Sequence, residues 1–193
     1  MNILTEMLTQ QLAGGAVAQI SNKLGIDQGT AGKAVAIALP LLIAALARNT
    51  STPSGANALD QAVARDHDGS ILDDIGGFLN SGNTADGAGI LGHVFGNQQN
   101  SVEGALAQRT GLDAGSAGQL LAMVAPLVLG AVGKTRMEQG LDANSLSAYL
   151  GDQHQAQNAP PDMMGMLGGF LDANQDGSVV DDLGRLAGKV FGK

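Results

Sequence analysis

Residues Gly111-Leu112-Asp113-Ala114-Gly115-Ser116-Ala117-Gly118 open an apolar run through Ala122, Pro126-Leu127 and Ala131. A second stretch, Gly25-Ile26-Asp27-Gln28-Gly29-Thr30-Ala31-Gly32, leads in the same way through Ala36 and Pro40-Leu41 to Ala45. Each position in one lies 86 residues from its match in the other, as 25 to 111. Asp27 and Asp113 stand where helix N-caps belong, ahead of segments that can be helical to about Arg48 and Lys134. Pro40 and Pro126 interrupt both segments. Each proline removes a backbone donor and crowds the preceding turn, so each helix is expected to kink or split there.

The repetition extends beyond these segments. Asp68-Gly69-Ser70-Ile71-Leu72-Asp73-Asp74-Ile75-Gly76 is echoed by Asp176-Gly177-Ser178-Val179-Val180-Asp181-Asp182-Leu183-Gly184, and Gly92-His93-Val94-Phe95-Gly96 by Gly188-Lys189-Val190-Phe191-Gly192. The spacing drifts because the intervening loops differ in length. Two degenerate helical units are therefore expected, residues 1–96 and 97–193. The fold class is all-α: Ile3, Leu4, Met7, Leu8 and Leu12 recur at helical spacing, and no segment alternates with a period of two between hairpin turns. A helix is expected near Ser70 to Leu79 and another ending at Phe95. Loops are expected at Thr50–Ala56, Asn80–Asp86 and Gly151–Pro161.

Composition narrows the chemistry. Hydrophobic residues make up 44% of the 193 and charged residues 15%, so the chain can bury a core. With four Phe, one Tyr and no Trp, that core is built from Ala, Leu, Ile, Val and Met, and the 29 Gly imply closely approaching helices. The absence of Cys excludes disulfides, thiolate metal sites and cysteine nucleophiles. Net charge is −8 and both halves are acidic, which disfavours a phosphate backbone as partner. Met1–Gly15 has no positive region followed by an apolar one, so the expected location is cytoplasmic.

The strings Asp66–Asp74, Gly89–Gly96, Thr110–Leu127 and Gly140–Leu146 resemble the YidB-like bacterial family, a domain of unknown function, over nearly the whole chain. That resemblance implies an all-α protein with helix-turn-helix or homeodomain-like packing, and it carries no catalytic residues.

The strongest chemical motif is Asp172-x-Asn174-x-Asp176-Gly177-Ser178 followed by Asp181-Asp182, which is similar to the start of a calcium loop. Oxygen ligands at alternate positions wrap a hard cation, and glycine at the sixth position makes the turn. Leu183 occupies the twelfth position, where an EF-hand has Glu. The candidate calcium ligands are Asp172, Asn174, Asp176, Ser178, Asp181 and Asp182. The first unit retains Asp66, Asp68, Asp73 and Asp74 around Gly69, with His67 inserted. The competing reading is helix capping, in which Ser70-x-x-Asp73 and Ser178-x-x-Asp181 form carboxylate capping boxes.

Other motifs read as packing. Val17–Ala36 and Ala105–Ala122 fit helix, turn, helix, but their second helices offer only Lys33 in one unit and Gln119 in the other to a base edge, so nucleic acid is not an expected partner. Ala34–Ala47 and Leu120–Val132 are uncharged but short of the roughly 20 residues a membrane span needs, and are expected as core helices. Gly87-x-Gly89-x-x-Gly92 matches a dinucleotide fingerprint without any strand to carry it. His67, His93 and His154 have no metal-ligand spacing, and the counterpart of His93 is Lys189. The expectation is a non-enzymatic interaction or self-assembly module, a homo-oligomer with no cofactor other than calcium. The alternatives are a calcium-binding regulatory or structural module and an enzyme of unknown activity.

Overall fold

In the computed structural model, residues 3–13, 15–82 and 84–156 are described, all within the first of two compact units, Met1–Gln157. Asp27 and Asp113 start its two long helices as the sequence requires. Asp27 Oδ1 accepts the Thr30 N–H at 2.9 Å, and Asp113 Oδ1 accepts the Ser116 N–H at 3.0 Å. The hydroxyls of Thr30 and Ser116 donate to the second carboxylate oxygens, each at 2.6 Å. These bonds hold both carboxyls below the usual range, the side-chain bond being the larger cause. Gly25 and Gly111, at φ 65° and 80°, end the preceding helices in the left-handed conformation that only glycine adopts freely.

The chain runs α1 (Ile3–Ala13), α2 (Ala16–Leu24), α3 (Gln28–Asn49), α4 (Pro53–Arg65), a 3-10 turn (Ser70–Leu72), α5 (Ile75–Ser81) and α6 (Ala85–Phe95). A second 3-10 turn (Gly96–Gln98) leads to α7 (Gln99–Thr110), α8 (Ala114–Gln139) and α9 (Ala143–Ala156). No strand occurs among the described residues.

Neither internal proline splits its helix: α3 continues through Pro40 and α8 through Pro126. Packing along the flanking turns outweighs the missing hydrogen bond. The Thr50–Ala56 loop shrinks, because Pro53 is well placed at the start of a helix and Thr52 Oγ1 accepts the Gly55 N–H at 3.2 Å. The polar stretch from Gly151 is helical to Ala156, extending α9, with Leu146 and Leu150 buried. The single helix expected over Ser70–Leu79 is broken at Asp73-Asp74. There Asp74 Oδ1 accepts the Gly77 N–H at 2.8 Å and starts a new helix.

At the centre lies α8, with every residue from Leu120 to Gly133 buried. A helix that is apolar all round is stable only when enclosed, and α1, α2, α3, α4, α6, α7 and the Ser70–Leu72 turn all pack against it. Much of the packing is reciprocal. α2 lies on α3 as α7 lies on α8, α2 reaches α8 as α7 reaches α3, and α9 covers α3 as α4 covers α8. Helices from both sides of residue 96 thus share this core. Both α3 and α8 are long and apolar enough to cross a membrane by length and composition.

Candidate interaction surface

One face of α8 is closed by the segment between α4 and α7. Pro126 has no N–H to offer the Ala122 carbonyl four residues back, and Gly87 of α6 packs directly over that carbonyl. A Cβ at Gly87 would overlap it and stand 2.8 Å from Ala122 Cα. About two and three turns further along α8 from Ala122, Gly130 makes room for Ile71 and Gly133 for the His67 carbonyl. A Cβ on Gly69 would meet Lys134 Cβ at 2.7 Å, and φ 105° there already demands glycine. Ala122, Met123, Pro126, Gly130 and Gly133 are all buried as a result.

The equivalent face of α3, 86 residues earlier, is open. Ala36 is exposed where Ala122 is buried, and Ile37, Pro40, Ala44 and Ala47 are half-buried where Met123, Pro126, Gly130 and Gly133 are enclosed. Pro40 likewise denies the Ala36 carbonyl its N–H partner. Exposed Lys33 and Arg48 flank this apolar stripe. At its C-terminal end, Arg48 Nη1 donates to Gln98 Oε1 at 3.3 Å and Asn49 Nδ2 to the Val94 carbonyl at 2.7 Å, which joins the end of α3 to α6 and the turn after it. The repeat spacing was the sequence signal for this surface.

The acidic loop of the first unit is a set of caps. Asp68 Oδ1 accepts the Ser70 N–H at 3.0 Å, and the Ser70 backbone and hydroxyl together hold this carboxyl below its usual range. The capping box expected between Ser70 and Asp73 is replaced by this bond and by the one from Gly77 to Asp74. His67 is half-buried. Burial pushes its imidazole below the usual value, against the opposing pull of Asp66 and Asp86. His93 Nδ1 lies 2.8 Å from the Gly89 carbonyl on its own helix, and His154 lies on α9. No group of three His or carboxylate side chains placed to hold a metal occurs among the described residues. The proposed calcium ligands Asp172, Asn174, Asp176, Ser178, Asp181 and Asp182 lie outside the described residues.

No curated protein and no solved structure matches this chain. The model of a family described as "Bacterial protein of unknown function (DUF937)" matches residues 6–135, a span that takes in both long helices and the segment between them, and the chain belongs to that family.

Proposed function

We propose that the protein is a non-enzymatic, self-assembling helical module that works through the open face of α3. The observation that carries this reading is the contrast between two equivalent helices. The same apolar stripe is enclosed on α8 and less covered on α3, where Ala36 is exposed and Ile37, Pro40, Ala44 and Ala47 remain partly accessible. Covering it removes apolar surface from water and supplies a neighbour for the Ala36 carbonyl. In this reading the two repeats are two related helix-turn-helix units, α2 with α3 and α7 with α8, that pack in homeodomain-like fashion on each other. Association through non-equivalent surfaces is head-to-tail and closes into rings or extends into filaments. The reading keeps the cytoplasm as location, places α3 and α8 in a protein core rather than a bilayer, and involves no nucleic acid, since like charge repels a phosphate backbone.

The test is light scattering across a concentration series on the full-length chain. Mass above the 19.4 kDa of a single chain should grow with concentration, and Ala36→Glu, which puts a charge on the exposed stripe, should return it toward the monomer. A monomer at every concentration overturns the reading.

Calcium binding by Asp172, Asn174, Asp176, Ser178, Asp181 and Asp182 is a separate proposal for the second acidic loop, supported by the alternation of oxygen-bearing residues across Gly177. Thermal scans with calcium and with chelator test it.

A further inference from the structure

We propose that α9 is an exchangeable helix, and that two copies of this chain dimerise by each laying its α9 on the α3 and α4 of the other. The exchange fills a site that α9 already fills within one chain, so it goes beyond the open-face reading and does not rest on it.

In each repeat the helix that follows the long one crosses to the other repeat. α4 covers α8, α9 covers α3, and α4 and α9 also pack on each other. What holds α9 in place is thus supplied from far upstream: Leu146 and Leu150 are fully buried, and Ser147 Oγ donates to the Thr50 carbonyl at 2.6 Å. These contacts are the same whether α3 and α4 belong to the same chain or to a second copy. Only the connection from α8 to α9 differs between the two arrangements, so the connection decides between them.

The two connections of the repeat are built differently. α3 ends at Asn49 and α4 starts at Pro53; α8 ends at Gln139 and α9 starts at Ala143. The first turn is locked. Pro53 has no N–H and would clash with the Asn49 carbonyl in a continuous helix, and Thr52 before it is extended, at φ −104° and ψ 146°. The hydroxyls of Thr50 and Ser51 fasten that turn further, donating to the Leu46 carbonyl at 3.0 Å and the Arg48 carbonyl at 2.7 Å. In the second turn Ala143 stands where Pro53 does, and Gln139-Gly140-Leu141-Asp142 contains neither proline nor a β-branched residue. The chain reverses at Gly140, which is left-handed at φ 63°. With Gly140 at helical angles, α8 and α9 become one helix, and the Ser145 N–H exchanges its bond to Asp142 Oδ1 for an ordinary helical one. Straightening carries Leu146 and Leu150 away from their own α3, and a second copy supplies the surface that buries them again.

Gly140→Ala and Ala143→Pro push the connection in opposite directions. No atom lies within 4 Å of a Cβ at Gly140, so alanine adds no clash, but it is strained at φ 63° and favoured in a continuous helix. Each connection should shift by roughly tenfold toward the straight form, and a dimer has two, so its association constant should rise on the order of 100-fold. Ala143→Pro copies the first turn: at the first helical position the missing N–H costs α9 nothing, while the ring forbids the straight form. Full-length chains are incubated at high concentration and read by size exclusion with light scattering, and circular dichroism checks that each variant is folded. The expected result is a discrete dimer enriched in Gly140→Ala, returned to the parent level or below when Ala143→Pro is added, and intact when Ala36→Glu is added. A folded Gly140→Ala chain no more dimeric than the parent overturns the exchange, as does a dimer that survives Ala143→Pro. Parent assembly dispersed by Ala36→Glu, with no response to either substitution in the turn, overturns the exchange and leaves the open-face reading standing. A discrete Gly140→Ala dimer from a parent that is monomeric at every concentration upholds the exchange and overturns the open-face reading.

Discussion

Gly87→Ala and Gly89→Ala differ by two positions on one helix and should change stability in opposite directions. At Gly87 the new methyl overlaps the Ala122 carbonyl and stands 2.8 Å from Ala122 Cα, where an unstrained carbon pair needs about 3.5–4.0 Å. The neighbour is backbone of the enclosed helix and cannot rotate aside, so α6 must withdraw along its whole contact with α8. Overpacking of this kind costs about 1–3 kcal/mol. Replacing glycine recovers up to about 1 kcal/mol of helix propensity in a helix interior, and less at Gly87 because it lies in the first turn of α6. The net effect is destabilising, by roughly 1–2 kcal/mol. At Gly89 nothing lies within 4 Å of the added carbon, so only the propensity gain remains. At about 2–4 °C per kcal/mol for a chain of this size, thermal unfolding followed by circular dichroism should place Gly87→Ala several degrees below the parent and Gly89→Ala slightly above it. Equal shifts, or a neutral Gly87→Ala, would refute the close approach of α6 to α8.

The helix caps set the acid limb of stability. The carboxyls of Asp27 and Asp113 are depressed below their ordinary value of 3.8, so their contribution is fully present above that pH and is lost as the pH falls through the lowered values. Asp27→Ala or Asp113→Ala should lower Tm at pH 7, and the difference from the parent should close in strong acid. His67 acts nearer neutrality, because burial lowers its pKa from 6.5: the unfolded chain takes up the proton first, and stability should decline as pH drops below 6.5 until the folded imidazole also titrates. His67→Gln should flatten that decline in a series of Tm against pH. If Asp176 caps as Asp68 does, millimolar calcium and chelator should give the same Tm, and a calcium-dependent rise abolished by Asp176→Ala would establish the loop as a cation site. Chains of net charge −8 repel one another, so self-association should strengthen with added salt; weakening with salt would point to a contact held by ion pairs instead.

Much of this architecture was legible from a few residue types. Asp27 and Asp113 marked the starts of both long helices because a carboxylate at an N-cap satisfies backbone donors that nothing else nearby can reach. Gly25 and Gly111, legible in the sequence only as parts of the repeat, turn out to end the helices before them at positive φ. Of the two outcomes expected at the prolines, a split does not occur, since the cost of Pro40 and Pro126 is local while the burial that keeps each helix whole comes from residues distant in sequence. Polar composition misled at Gly151–Ala156 for a related reason: Leu146 and Leu150 anchor α9, and the helix carries its polar end along. The acidic run Asp66–Asp74 was read correctly as a capping region but with the wrong partners, because Ser70-x-x-Asp73 and Asp68-x-Ser70 are equally available in the sequence and only the tight turn at Gly69 selects the second. The open face of α3 was least legible. Its composition matches that of the buried face of α8, and the difference between them lies in what other segments cover.

That difference traces to a property of the repeated helix itself. A proline in mid-helix leaves the carbonyl four residues back without its usual donor, at Ala36 and at Ala122 alike. Inside a core such a group needs a close polar or C–H neighbour, and Gly87 supplies a Cα over Ala122 because it has no side chain to hold the backbones apart. Ala36 itself is exposed, so water can reach the same group there. The same helical element is therefore stable in both settings, enclosed when a glycine-bearing segment lies over the proline turn and solvated when none does. A stripe that can be wet or covered without refolding is what a reversible contact requires. The proline that appeared to threaten each helix instead marks the place where a glycine from another segment can come closest.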